Sequence, residues 1–204
     1  LVLFDVCVQQ VQTGCRIAIN PAIFCNSYFY FMQLIDELDV DLALEGHDHV
    51  YSCTKSLNFA PKTESFVNAK VEHPDFDYNE DSVKVLKSPK GTTFVIPNTG
   101  GTKAYDAIYG YSLGHIKAVR PKLSWLTQAQ LEHYDYLFEK GRQPHRSERF
   151  KTKHENWRDS SKQNFVVYRI TGDRPTGEVY QVSGDLIKGE QRRVTIVDRF
   201  EIRK

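Results

Sequence analysis

From Ile17 to Ile35 the chain runs "IAINPAIFCNSYFYFMQLI", nineteen residues without a formal charge. A stretch of that length either crosses a bilayer or is taken into the interior of a folded domain. Asn20, Pro21, Asn26, Ser27 and Gln33 decide between the two. A spanning helix would carry them into hydrocarbon, at roughly 2–7 kcal/mol for each polar group left without a partner. The run therefore predicts a buried strand, a loop and the start of a helix in a soluble domain, with no membrane span.

The flanking pattern agrees. "CRIAI" (15–19) predicts a short buried strand, and "YFYFMQLIDELDV" (28–40) a helix with Phe31, Leu34, Ile35 and Leu38 at helical spacing. "DLALE" (41–45) is short, bounded and alternating, as a buried strand is. Helix, short loop, strand is the signature of a layered α/β fold. Residues 55–89 are polar and irregular and suggest no element. "TTFVIP" (92–97) predicts a strand closed by Pro97 and the turn "NTGGT". In "TQAQLEHYDYLFEKG" (127–141), Thr127 and Gln130 form a capping-box pattern. Leu131, Tyr134, Leu137 and Phe138 make a helical stripe there, and Gly141 a stop. The tail predicts an antiparallel meander of "NFVVYRI" (164–170), "EVYQVS" (178–183) and "RVTIVDRFEI" (193–202). In its last strand Val194, Ile196, Phe200 and Ile202 are expected on one face, with Asp198 breaking the pattern.

The 204 residues are enough for one domain or for part of a larger one, and a first residue of Leu1 suggests a start inside a longer protein. A net charge of +1 gives no global field to recruit nucleic acid or an anionic membrane, and neither is expected as a partner. Cys7, Cys15, Cys25 and Cys53 contain no C-x-x-C pair, which argues against a zinc–cysteine site, and their spacing favours no disulfide pairing. The basic stretch 140–162 is interrupted by Glu148, Glu155 and Asp159 and reads as a solvated loop. His73, His133, His145 and His154 are scattered, and His115 falls in a glycine-flanked loop; structural or exposed roles are expected for most. Tyr105 and Tyr109 suit a cleft lining or ordinary packing equally.

Behind the strand at 41–45 stands Gly46-His47-Asp48-His49. In extended chain, residues two apart share a face at roughly 6–7 Å; on a helix they would diverge by about 200°. Gly46 permits a sharp exit, and layered α/β folds place their sites at the carboxyl ends of strands. Imidazole is a common ligand for zinc, iron and manganese, which makes His47 and His49 candidate metal ligands and Asp48 a candidate to orient one of them. An isolated H-x-H arises often by chance; the strand before it and the aromatic after it set this one apart.

"EGHDHVYS" resembles the final signature block of the calcineurin-like metallophosphoesterases, in particular the purple-acid-phosphatase-like bacterial branch, which reads G-H-x-H-x-Y after a "VDL-L" strand. Here the strand is Val40-Asp41-Leu42-Ala43-Leu44 and the aromatic is Tyr51. "GTTFVIPNTGGTKAYD" (91–106) is similar to the segment that follows in that branch, with Asn98, Thr99 and Gly100 in a turn. The ending "VDRFEIRK" looks like the family's closing hairpins. The resemblance implies a fold, the C-terminal part of a two-sheet α/β sandwich with an antiparallel β tail, and makes residues 1–204 a portion of a larger domain. It implies hydrolysis of phosphate esters at a dinuclear metal centre, with His47 on one ion and His49 on the other. The ions would be two divalent or mixed-valence metals drawn from iron, zinc and manganese, and the location secreted or cell-surface.

The family's other blocks, D-x-H or D-x-G, G-D-x-x-D or G-D-x-x-Y, and G-N-H, have no counterpart here, and no histidine precedes His47. Cys53 stands where many relatives carry arginine. Two imidazoles cannot hold two ions that each need about four ligands, so the remaining donors are expected outside this chain, which is expected to be inactive alone. The competing expectation is a degenerate, non-catalytic unit that keeps the fold. A mononuclear β/α-barrel hydrolase would need repeated βα units after His49, where the sequence turns instead to loops and strands.

Overall fold

The computed structural model describes residues 7–10, 16–20, 28–45, 51–60, 69–73, 77–81, 83–96, 103–105, 111–140, 156–158 and 162–203. In chain order these hold β1 (Cys7–Gln10), β2 (Arg16–Asn20), α1 (Tyr28–Glu37), β3 (Leu42–Glu45), β4 (Ser52–Phe59), β5 (Ala69–His73), β6 (Asp77–Tyr78), β7 (Lys84–Lys87) and β8 (Thr92–Ile96). There follow β9 (Lys103–Tyr105), α2 (Leu113–Val119), α3 (Gln128–Tyr136), β10 (Phe138–Lys140), β11 (Asn156–Arg158), β12 (Lys162–Thr171), β13 (Arg174–Ser183) and β14 (Arg193–Arg203).

Two mixed sheets result, and β9 and β11 pair in a separate short ribbon. In the first, β2, β3 and β8 lie side by side and parallel. The strand β1 adds antiparallel to β2, and β4 adds antiparallel to β8 and carries β5 and β10. The second sheet is the expected meander β12–β13–β14, extended by β7 parallel to β14 and by β6. Alternation along the strands divides the core in two. Ala43 and Phe94 face α1, where Ile35, Val40 and Leu57 join them. Leu42 and Val95 face the second sheet and meet Leu86, Val179, Phe200 and Ile202. A third cluster, Ile116, Leu126 and Leu131, holds α2 and α3 together.

The uncharged run divides as its polar residues require. Its first part lies in β2 and its last in α1, with residues 21–27 outside the described set. No described helix is long and apolar enough to cross a membrane. The helix α1 stops because Asp39 takes a left-handed backbone (φ 49°). The Asp39 amide then donates to the Asp36 carbonyl at 3.0 Å and the Val40 amide to the Ile35 carbonyl at 3.2 Å. Val40 and Ile35 pack together in the core, which completes a Schellman stop. Of the expected helical stripe Ile35 is buried, whereas Leu34 and Leu38 are 40 % and 36 % exposed, because the sheet contacts a narrower face than the spacing suggested. The side chain of Phe31 lies outside the described set.

Two further expectations are corrected. The capping box of α3 forms, with the Gln130 amide donating to Thr127 Oγ1 at 3.2 Å and Gln130 Oε1 accepting from the Thr127 amide at 2.9 Å. Yet the helix ends near Leu137, ahead of Gly141, and Phe138 turns into β10 to pair with Thr54 of β4. Sheet pairing outweighs continued helical spacing there. In β14, Val179 pairs with Asp198 and Tyr180 with Ile196, so Val197 is an extra residue, a β-bulge. Val194 and Ile196 consequently face solvent at 59 % and 39 % exposure, while Phe200 and Ile202 on the other side of the bulge are buried at 1 % and 0 %. The four do not share a face, and Asp198 is turned toward the core.

On the outer face of the second sheet, Glu178 accepts from Arg169 and, at 2.8 Å, from the Tyr180 hydroxyl. The Arg169 hydrogen bond first, then that of Tyr180, holds the Glu178 carboxyl below its ordinary range. A depressed carboxylate stabilises the fold fully above the unfolded value, about 4.3, and loses that contribution as pH falls through its own lowered value. Glu178→Gln should therefore lower the melting temperature slightly at neutral pH, and the two proteins should converge in acid. The effect is small because Arg169 is exposed. Melting curves across the acid range check this; a gap that widens toward low pH would contradict it.

Candidate functional site

The carboxyl ends of the three parallel strands define one rim of the first sheet. Asn20 of β2 pairs with Glu45 of β3, and Leu44 pairs with Val95 of β8. On the far side of β8, Ser52 opens β4 opposite Ile96. Glu45 and Tyr51, the described residues on either side of the Gly-His-Asp-His segment, thus flank the end of β8, from which residues 97–100 continue. The rim is where a layered α/β fold gathers its site.

His47, Asp48 and His49 lie outside the described residues, as do Asn98, Thr99, Gly100, Tyr109, His145, His154, Cys15 and Cys25. Among the described residues no group of three or more His, Cys, Asp or Glu side chains is placed to hold a metal ion. Two of the scattered histidines have structural roles. His133 Nε2 meets the Ala69 carbonyl oxygen at 3.3 Å. His115 stacks on Tyr111 at 4.4 Å, and it sits in α2, where a loop was expected. The Ser112 side chain caps that helix, so Gly114 beside His115 does not break it.

Directly below the rim the two sheets are joined by a polar cluster that sequence reasoning missed. The Tyr51 hydroxyl donates to Asp198 Oδ2 at 2.7 Å, across 147 residues of chain. Lys84 Nζ donates to the same oxygen at 3.0 Å. The Lys84 and Asp198 side chains are only 4 % and 7 % exposed. Asp198 Oδ1 accepts from the Arg199 amide at 3.0 Å. Burial first, with Cys53 and Asp198 beside it, pushes the Tyr51 phenol far above its ordinary range. Tyr51 is therefore a neutral donor to a carboxylate that also balances Lys84. The break that Asp198 makes in the expected apolar face of its strand was the one signal available; Lys84 gave none.

Cys53 is fully buried and packs with Val95 and Val179 between the sheets. Its thiol is in no disulfide, donates to the Thr54 carbonyl oxygen at 3.6 Å and belongs to the core.

No protein-family model matches this chain, and no curated protein matches it. Among solved structures it is similar to Vps29 of Chaetomium thermophilum, at 12 % identity and a TM-score of 0.39. The similarity covers 98 % of this chain, which spans 59 % of that protein's length. A likeness that distant transfers no residue role.

Proposed function

We propose that this chain is the C-terminal part of a metal-dependent phosphoesterase and supplies the Gly-His-Asp-His block to a dinuclear centre. The observation that supports this reading is the placement of Glu45 and Tyr51, which flank that block in sequence, on either side of the end of β8 at the carboxyl rim of three parallel strands in a two-sheet fold. His47 would bind one ion and His49 the other, and Asp48 would orient an imidazole by hydrogen bonding. Iron, zinc or manganese suit these donors. When bound, such a pair clamps a phosphate ester and supplies hydroxide at neutral pH. Two imidazoles fall short of the roughly eight donors that two ions need, and the described residues add no cluster to them. The sequence blocks that would carry the other donors are missing here, so those donors would come from outside this chain, which alone would be inactive.

A second reading, a non-catalytic unit that keeps the fold, is favoured by the burial of Cys53 in the core. Metal binding separates the two. The purified chain should bind Zn²⁺ or Mn²⁺ weakly, lose that binding in the His47→Ala/His49→Ala double variant, and hydrolyse an aryl phosphate negligibly. Metal binding indifferent to both substitutions would remove the first reading, as would rapid hydrolysis that survives them.

A further inference from the structure

We infer that Tyr51, Asp198 and Lys84 form a positioning unit that fixes where the chain re-enters the first sheet after the Gly-His-Asp-His segment. As a role in metal binding this rests on the function proposed above. The segment is covalently held at Glu45 by β3 on one side and meets Tyr51 on the other. Ser52 pairs with Ile96, and regular pairing of β4 with β8 is interrupted between Cys53 and Ser56, where one extra residue intervenes. The ladder nearest the rim is therefore short, and a shift of its end is resisted by few hydrogen bonds. The Tyr51 phenol supplies the missing restraint. It leaves the first sheet altogether and ends on a carboxylate of the second.

That carboxylate is itself held. The extra residue Val197 turns Asp198 inward, the Arg199 amide takes its second oxygen, and Lys84 neutralises it from the neighbouring parallel strand. An acceptor fixed from three directions gives the phenol one place to end. Hydrogen bonds to charged groups are stronger than neutral ones, by a factor of about two. A purely cohesive role would be served as well by an apolar ring in this core; the hydroxyl adds direction. Groups that orient metal ligands without touching the metal typically change affinity by 10–100-fold when altered.

The test compares Tyr51→Phe, which removes one oxygen and keeps the ring, with Ile202→Ala, which opens the same core four residues along β14 from Asp198. In the full chain, Tyr51→Phe should speed amide exchange in a peptide covering residues 45–54 and leave one covering 193–203 at the parent rate. It should also weaken Zn²⁺ binding about tenfold. Ile202→Ala should lower the denaturation midpoint at least as much and leave Zn²⁺ affinity unchanged. Parent-like exchange at 45–54 in Tyr51→Phe overturns the inference. So does parent-like Zn²⁺ affinity in that variant when His47→Ala does weaken binding. If His47→Ala has no effect on Zn²⁺, the phosphoesterase reading fails, and the exchange contrast alone still decides for or against the anchoring of residue 51.

Discussion

Asp198→Ala should cost about 3–5 kcal/mol of unfolding free energy, the range for removing one partner of a buried ion pair. The loss is large because two groups depend on the same oxygen. The Lys84 ammonium, 4 % exposed, loses the carboxylate that balances it, and the Tyr51 hydroxyl loses its acceptor. Replacing both ions should be milder. Lys84→Met with Asp198→Leu removes both charges beside Leu86 and Phe200, leaving the Tyr51 hydroxyl without its acceptor as the main cost, about 1–3 kcal/mol. Urea denaturation of the parent, the two singles and the double gives the coupling directly, expected at about 1–3 kcal/mol. A loss under about 1 kcal/mol for Asp198→Ala would mean a solvated pair, contrary to the burial described.

Phe200→Ala should be comparably severe, at about 3–5 kcal/mol. The ring is among the largest side chains buried in the molecule, and it lies edge-on to Tyr168 with centroids 6.4 Å apart. Across the ladder its partner is Gly177, and a β-carbon built there would collide with the ring. Gly177→Ala alone should therefore cost about 1–3 kcal/mol through overpacking. In the Phe200→Ala background the added methyl enters the vacated space, so the double variant should lose less than the sum. Strict additivity would show that the ring does not lie over the glycine.

Elements whose signals are local were readable from the sequence. The strand at 42–45, the strand at 92–96, the capping box at Thr127 and the three-strand tail all emerged where periodicity and turn residues placed them. The stretch 55–89 did not, and β4 shows why. Cys53 and Leu57 are an even number of residues apart, yet the irregular pairing between Cys53 and Ser56 puts them in different cores. Buried Ser52, Thr54 and Ser56 complete the disguise. No alternation can be read through a residue whose surplus is visible only against its partner strand. The same limit hid the orientation of Asp198. The histidine pair could be singled out as a candidate because its pattern is carried by neighbouring letters, and it lies outside the described residues. The Tyr51–Asp198–Lys84 cluster could not be, because its members come from three stretches far apart in sequence.

The surplus residue Val197 also splits one strand into two histories. Ahead of it, side chains meet water, and substitutions there should be tolerated widely. Beyond it, Asp198, Phe200 and Ile202 are committed to the seam between the sheets. Loss of Val197 alone would leave Asp198 opposite Val179 and Ile196 opposite Tyr180 in a regular ladder, so each side chain would keep its face and only the surplus in the strand would go.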